Sequence, residues 1–537
     1  LTADTYSGTR EESVEVPRRF VLPVYLALGA IALLPLALSD MPALVDYPNH
    51  LARLHILANV GSDRALSSNY RIVWGPMPNL AMDILSWPFL GLLPVETLAK
   101  LFTVLAVFLP AAGAIVLHRA IYGRVGLWPT AAWLFLYNHM LIMGFLNYLV
   151  ALGLAFLLFA GWIASERRTA WIRLVLFPIA LVALFFAHLF ALGIYGLCVA
   201  GYELSRAWPD LRADWKEAVR SRLPMAWQFV PVAILTLATM PPASGRSIFY
   251  GPLLHKLKIL WSPVLTYGTP VDAGLLLLVI AVLIAGLATR RLTVAIGMKL
   301  PLVLLILLAI AMPFQIQGAW GYIWYADLRL PIVVALLFVA AAEPRNIDPK
   351  IFVAVGTASL VLFSWRIYDV SAQWRQVDRD FSEFRRALAV VEPGSSLLPV
   401  QKQDVPAATG ANRFDYVYWH MPVLAVLDRS AFVPTLFTDP AKQPVRAAPA
   451  REAMDTEFGS PIELALLVDA ARGGNQVKGG VGIKPFWKDW PQRYDYVLIT
   501  HFGASGNPLP DLLKPIREGS FFTIYRVRRP APQEPEQ

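Results

Sequence analysis

The chain has 537 residues, 56% of them hydrophobic, with a mean hydropathy of +0.51 and a formal charge of +9. That apolar share lies above the roughly 45–50% of soluble domains and excludes an ordinary globular enzyme. The length leaves room for about ten spans of about 20 apolar residues each, plus a domain of ordinary size. The basic residues sit in short loops between hydrophobic runs and form no single stripe, so the charge points to membrane orientation and not to nucleic acid. The single cysteine, Cys198, lies in an apolar run, rules out an intramolecular disulfide and is silent on redox compartment.

In chain order, residues 1–19 read as a polar cytoplasmic tail, and Phe20 to Leu38 as a retained span and not a removed signal peptide. Further runs of spanning length cover Ala99 to Leu117, Leu127 to Met143, Tyr148 to Ala164, Trp171 to Ala187, Leu189 to Glu203 and Ala226 to Met240. Ala273 to Ala288, Leu300 to Phe314, Leu330 to Ala342 and Ile351 to Trp365 complete a set of about eleven. The segment Asn79 to Leu93 is short, contains Asp83 and is set among Pro78, Pro88 and Pro94, so it reads as an interfacial helix. Basic residues occupy alternate loops: Arg18 and Arg19; His118, Arg119 and Arg124; Arg167, Arg168 and Arg173; Arg206 through Arg222; Arg290, Arg291 and Lys299; Arg345 and Lys350. By the positive-inside rule these loops are cytoplasmic. An odd number of spans then places the C-terminus outside, in the periplasm if the membrane is a bacterial inner membrane.

The transmembrane part is thus expected over 20–368, with a first outer loop at 39–98, and a soluble α/β domain over 369–529. In that domain Gln373 to Arg386 reads as a solvated helix closed by Pro393-Gly394. Ser396 to Val400, Tyr496 to Thr500 and Phe521 to Val527 read as strands, and Pro461 to Ala471 as a helix. Gly473-Gly474 and Gly479-Gly480 read as turns, and the Pro- and Glu-rich end, 530–537, as disordered. There is no internal repeat and no phosphate-binding glycine loop.

Sorted by side, the unusual polar residues gather on the outer face. Asp40, Asp46, Asn49, His50 and Arg53 follow the first span; Tyr137, Asn138, His139 and Asn147 flank the third and fourth; His188 joins the fifth to the sixth. The long loop Pro241 to Thr269 holds Arg246, Tyr250, His255, Lys256 and Lys258, and Asp327 and Arg329 precede the tenth span. Ionisable groups near membrane depth are costly, and several on one face suggest a site, although polar and aromatic belts are also ordinary interfacial furniture. In Asp46-Tyr47-Pro48-Asn49-His50-Leu51-Ala52-Arg53 the proline sets a helix start, so Asp46 precedes the first turn and His50 and Arg53 share a face. Asp46 can cap that helix, or take a proton from a hydroxyl, while Arg53 can grip a phosphate oxygen. Leu253 to Trp261, with His255, Lys256 and Lys258 among Leu and Ile, suits the headgroup level of an anionic lipid.

Over Leu44 to Arg53 the chain resembles the GT-C class of integral membrane glycosyltransferases, and more weakly over Gly144 to Tyr148, Ala187 to Phe190 and Asp327 to Pro331. The resemblance implies a polytopic α-helical fold with a periplasmic C-terminal domain, a lipid-phosphate-linked sugar as donor, and a glycan, lipid or protein acceptor. It implies Asp46 as the base of an inverting transfer; the polar residues on the same face, His50, Arg53, His139, Asn147, His188, Lys256, Asp327 and Arg329, are the substrate-binding candidates. The first loop has no Asp-x-Asp or Glu-x-Asp pair, which leaves the divalent metal of some members in question. Other readings are a lipid or glycan transporter or flippase, and a non-catalytic component of an envelope assembly. A transporter would place charged groups near the bilayer middle and broken helices in repeated halves, whereas these spans carry little charge at their centres and no repeat is visible. Zinc held by His50, His139 and His188 is a further reading, but scattered spacing does not specify it.

Overall fold

A computed structural model describes residues 18–167, 171–241, 247–402, 415–456, 459–474, 484–501 and 506–529. Arg168, Arg246, Gly479-Gly480, the first 17 residues and the 530–537 tail lie outside them. The chain divides into two compact units, Leu1–Leu38 with Thr103–Ala372, and Ser39–Phe102 with Gln373–Gln537. The first loop therefore groups with the C-terminal part of the chain.

The first unit is predominantly helical. Among the described residues, Val95–Tyr122, Leu146–Ala164, Pro270–Ala288 and Pro349–Val390 are long and apolar enough to cross a membrane. Arg19–Ala32, Ile172–Ala187 and Ile296–Ala311 are shorter apolar helices. Pro270–Ala288 leaves Leu277, Ile284 and Leu287 exposed, and Pro349–Ala387 leaves Val353 and Val361 exposed. Such apolar faces on helices whose backbone bonds are satisfied internally are compatible with lipid as the solvent.

Several expected spans take other forms. Leu127 to Met143 is no continuous helix: a 3-10 stretch, Trp128–Phe135, begins on Pro129, and Asn138 then caps the separate short helix His139–Ile142 by accepting from Leu141 N at 3.2 Å. Leu189–Ala213 runs well past Glu203, and the basic loop from Arg206 to Arg222 lies within it and the next helix, Trp215–Ala226. Leu330–Ala341 and Val230–Thr239 stand near their expected places but are short. The last span and the solvated helix after it are one element, Pro349–Ala387, since no proline or glycine breaks the chain at Asp369.

Two helices of this unit meet at bare backbone. A Cβ on Gly153 would stand 2.5 Å from the carbonyl carbon of Leu109, and one on Gly113 2.8 Å from the carbonyl oxygen of Gly153. Small residues let membrane helices approach in this way, where packing replaces the hydrophobic effect. Hairpin strands Gln315–Gly318 and Gly321–Trp324 pair antiparallel, with Gly321 at φ +72°, and Ser247–Phe249 adds to the first of them.

In the second unit a five-stranded mixed sheet runs in the order Leu513–Glu518, Phe522–Val527, Tyr496–Thr500, Leu397–Gln401 and Ile462–Glu463. The first two pairings are antiparallel and the last two parallel. Leu397 to Val400 and Tyr496 to Thr500 are buried along their whole length, the pattern of central parallel strands. Pro461 opens no helix; Ile462–Glu463 forms the edge strand and the helix begins at Leu464. A smaller antiparallel pair joins Tyr70–Ile72 to Val445–Ala447. The Asn79 to Leu93 segment holds a six-residue helix, Ala81–Ser86, with Asp83 buried inside the unit.

Candidate functional site

The residues singled out by sequence are divided between the two units. In the second unit the helix Tyr47–Asn59 starts on Pro48, whose fixed φ and missing N–H suit the first turn. Residues Tyr47 through Leu54 are buried, so this helix is a core element and not a surface loop. Asp46 stands at the N-cap position with helical backbone angles, φ −85° and ψ −2°, and its side chain accepts no capping hydrogen bond. A capping Asp ordinarily has extended backbone, as Asp63 has at φ −102° and ψ 111° before the helix Arg64–Asn69. The carboxylate is therefore not committed to its own helix.

Its neighbour is His420, with Nε2 3.4 Å from Asp46 Oδ1. The His420 side chain is 5% exposed and that of Asp46 13%, so the acid keeps an accessible edge beside a buried imidazole. Asn49 accepts from Phe437 N at 2.9 Å, and the His420 ring lies edge-on to Phe437 at 5.0 Å. Asn49 Nδ2, Thr435 Oγ1 and His420 Nδ1 are buried without a hydrogen-bond partner among the described residues. Unpaired buried polar groups are uncommon and call for an explanation.

Arg53, expected to hold phosphate, is 1% exposed and fully engaged inside the unit. Its Nε donates to Asp83 Oδ1 at 2.7 Å, Nη1 to Gln443 Oε1 at 2.6 Å, and Nη2 lies 3.2 Å from His50 Nδ1. This is an internal tie between the first loop and the C-terminal part, not an open phosphate clamp. Burial pushes the Asp83 carboxyl up, and the guanidinium beside it opposes that shift. His50 is buried against the same guanidinium.

In the first unit Asp327 is fully buried and accepts from Lys256 Nζ at 2.8 Å, with His255 Nε2 at 3.2 Å. Lys256 also donates to the carbonyl of Met312, so its ammonium is held in place and is not a free headgroup anchor. Arg329 is differently placed. Its guanidinium lies 4.9 Å from the ring centre of Phe145, 5.5 Å from that of Phe190 and 5.8 Å from that of Tyr148, and Nη2 donates to the Trp324 carbonyl at 3.2 Å. Tyr148 in turn donates to the Arg329 carbonyl at 2.7 Å. A planar cation among aromatic faces is held in a set orientation.

His188 serves as N-cap of Leu189–Ala213, accepting from Phe190 N at 3.2 Å. His139 begins its short helix, with its N–H on the Ser262 carbonyl at 3.0 Å, and Asn147 is buried in the first turn of Leu146–Ala164. Among the described residues no group of three or more His, Cys, Asp or Glu side chains is placed to hold a metal ion.

Sequence reasoning missed three features. His420 carries no spacing relation to Asp46, and Gln443 none to Arg53. The third is a buried pair in the first unit: Arg366 Nη2 donates to Asp272 Oδ1 at 2.7 Å, and Asp272 also accepts from Thr266 N, Gly268 N and the Thr266 hydroxyl. A lone arginine at the end of an apolar run, and an aspartate three residues after Thr269, were the available signals.

No family model matches the chain, and no curated protein matches it. Among solved structures it is similar to the crystal structure of ArnT from Cupriavidus metallidurans in the apo state, at 10% identity over 94% of this chain and 97% of that one. The TM-score is 0.43, a likeness that carries nothing for activity.

Proposed function

We propose that this chain is an integral membrane glycosyltransferase that moves a sugar from a lipid-phosphate donor to an acceptor hydroxyl, with inversion, on the periplasmic face. The observation that carries the reading is the state of Asp46: a carboxylate with an accessible edge, at the start of a buried helix, that does not cap that helix. The resemblance of Leu44 to Arg53 to GT-C enzymes supports it, as do the apolar helices.

In such a displacement the acceptor oxygen bonds to the anomeric carbon as the bond from that carbon to the phosphate oxygen breaks. The hydroxyl proton passes to Asp46, and the pair of electrons leaves with the lipid phosphate. One carboxylate suffices, because a phosphate leaving group needs charge neutralisation more than protonation. Arg329 is the side chain proposed for that neutralisation. Arg53, with each nitrogen engaged inside its unit, is withdrawn from the role.

The test is direct. Protein in lipid nanodiscs is given a panel of short-chain polyprenyl-phosphate hexoses and pentoses, and release of polyprenyl phosphate is followed. Turnover of a panel member is expected, with a loss of about 100-fold or more in Asp46→Asn, the size of a lost general base. Asp46→Asn that accumulates normally and transfers at the wild-type rate refutes the mechanism.

A further inference from the structure

We propose that His420 is a positioning residue for Asp46, so that the C-terminal part of the chain takes part in setting up the base. The inference rests on the reading of Asp46 given above. Among the described residues Asp46 Oδ1 faces His420 Nε2 at 3.4 Å, in a pocket that buries nearly all of the imidazole.

The ring has little freedom to turn away. Phe437 lies edge-on to it, and the Phe437 N–H is tied to Asn49, three residues after Asp46 on the same helix. Gly459 lies against another part of the ring: a Cβ there would be 2.8 Å from His420 Cε1 and 2.3 Å from the Thr435 carbonyl oxygen, so only glycine fits. The helix that presents Asp46 and the segment that holds His420 thus share their supports.

The tautomer follows from the neighbours. With the proton on Nε2 the ring donates toward a carboxylate; with the proton on Nδ1 it would turn a lone pair toward that carboxylate and leave a buried donor unmade. The arrangement leaves Nδ1 without a partner among the described residues while Nε2 is aimed at Asp46. A donor aimed at Oδ1 holds the carboxylate plane so that Oδ2 remains for the acceptor hydroxyl.

Two readouts test this, one independent of activity. The first is the rate at which a water-soluble carbodiimide labels Asp46 at fixed pH, read by peptide mass spectrometry; the rate reports how firmly the carboxylate is held. His420→Leu is expected to label Asp46 several-fold faster than wild type, and His420→Gln, which keeps a donor, to stay near it. The second is transfer from the polyprenyl-phosphate sugar panel. There His420→Leu should lower kcat roughly 10–100-fold, the size seen when an outer-shell partner is lost, with KM little changed and rescue by Gln. Added to Asp46→Asn, His420→Leu should cost nothing more. If His420→Leu does not accumulate, His420→Met, of similar reach and without a donor, replaces it. Unchanged labelling in the donorless variant overturns the proposal, whatever its activity. Wild-type transfer by Asp46→Asn would instead remove the base reading, leaving the labelling to decide whether His420 holds the carboxylate.

Discussion

Replacing Arg53 by Met separates two roles that the sequence alone left open. If Arg53 gripped a donor phosphate, Arg53→Met would leave the fold intact and weaken donor use. The structure gives it a different task, because its partner Asp83 is fully buried and, among the described residues, the Arg53 guanidinium is the cation that balances it. Removing one member of a buried ion pair costs about 3–5 kcal/mol, since the other is left uncompensated. For a unit of this size that corresponds to a fall of roughly 10 °C in the apparent midpoint of thermal unfolding. The sign with pH is also fixed. Burial already raises Asp83, and loss of the guanidinium raises it further. A group whose folded pKa is raised contributes stability at low pH that is lost as the pH rises through the folded value. Arg53→Met should therefore unfold at a higher temperature at pH 5 than at pH 8. Arg53→Met combined with Asp83→Leu should recover most of the loss, as apolar replacement of buried pairs commonly does. The assay is tryptophan fluorescence during heating of the protein in detergent. A midpoint within a degree or two of wild type for the single variant would refute the reasoning and return Arg53 to the list of phosphate ligands.

Four other outcomes are expected. Asp63 accepts from Ala65 N, Leu66 N and the Ser430 hydroxyl, and the Ser430 hydrogen bond, followed by those from the backbone, lowers its carboxyl. Asp63→Ala should cost about 1 kcal/mol of stability at neutral pH and less as the pH falls below about 4, where the wild type loses the same contribution; urea titrations at pH 7 and pH 3 check it. Gly153→Leu should prevent accumulation of the protein, because the backbone of Leu109 cannot yield to a side chain there; a folded variant by size-exclusion chromatography would contradict the helix crossing. Arg329→Lys should express normally yet raise the apparent KM for the lipid-phosphate donor about tenfold, since an ammonium cannot lie flat among three rings and offer two nitrogens at once; an unchanged KM removes Arg329 from the proposed site. A reporter joined after Val400 should be active in the periplasm only, and cytoplasmic activity would reverse the assigned face.

What was legible in the sequence is what periodicity and turn chemistry control. Tyr496 to Thr500 forms the strand its apolar run indicates, and the strands at Leu397–Gln401 and Phe522–Val527 lie within a residue of expectation. Leu146–Ala164 and Pro270–Ala288 follow from hydropathy in the same way. Hydropathy failed where composition stays apolar while the backbone changes course. Leu127 to Met143 contains enough Leu, Trp and Phe to score as a span, yet Pro129 and the Asn138 cap break it. It failed again at Asp369, where charge enters Pro349–Ala387 without ending it, because a helix stops at caps and breakers and not at a change of polarity.

The candidate site was legible only on one side. Asp46 drew attention because an acid before a proline-initiated helix is a local signal, readable within three residues. Its partner His420, like Asp83 and Gln443 around Arg53, comes from far along the chain, and no periodicity links such positions. The consequence for Arg53 is instructive: alone it looks like a free cation on a helical face, and only the distant carboxylate and amide show that its charge is already spent. Arg329 shows a second such long-range arrangement. It stands two residues from Asp327, which suggests a local ion pair, yet Asp327 is bound to Lys256 and His255, while Arg329 lies among Phe145, Tyr148 and Phe190. The acid that looked like its partner is neutralised from elsewhere. Arg329 and not Arg53 carries the proposed phosphate role because three aromatic faces set the plane of the Arg329 guanidinium, whereas every nitrogen of Arg53 is engaged inside its unit.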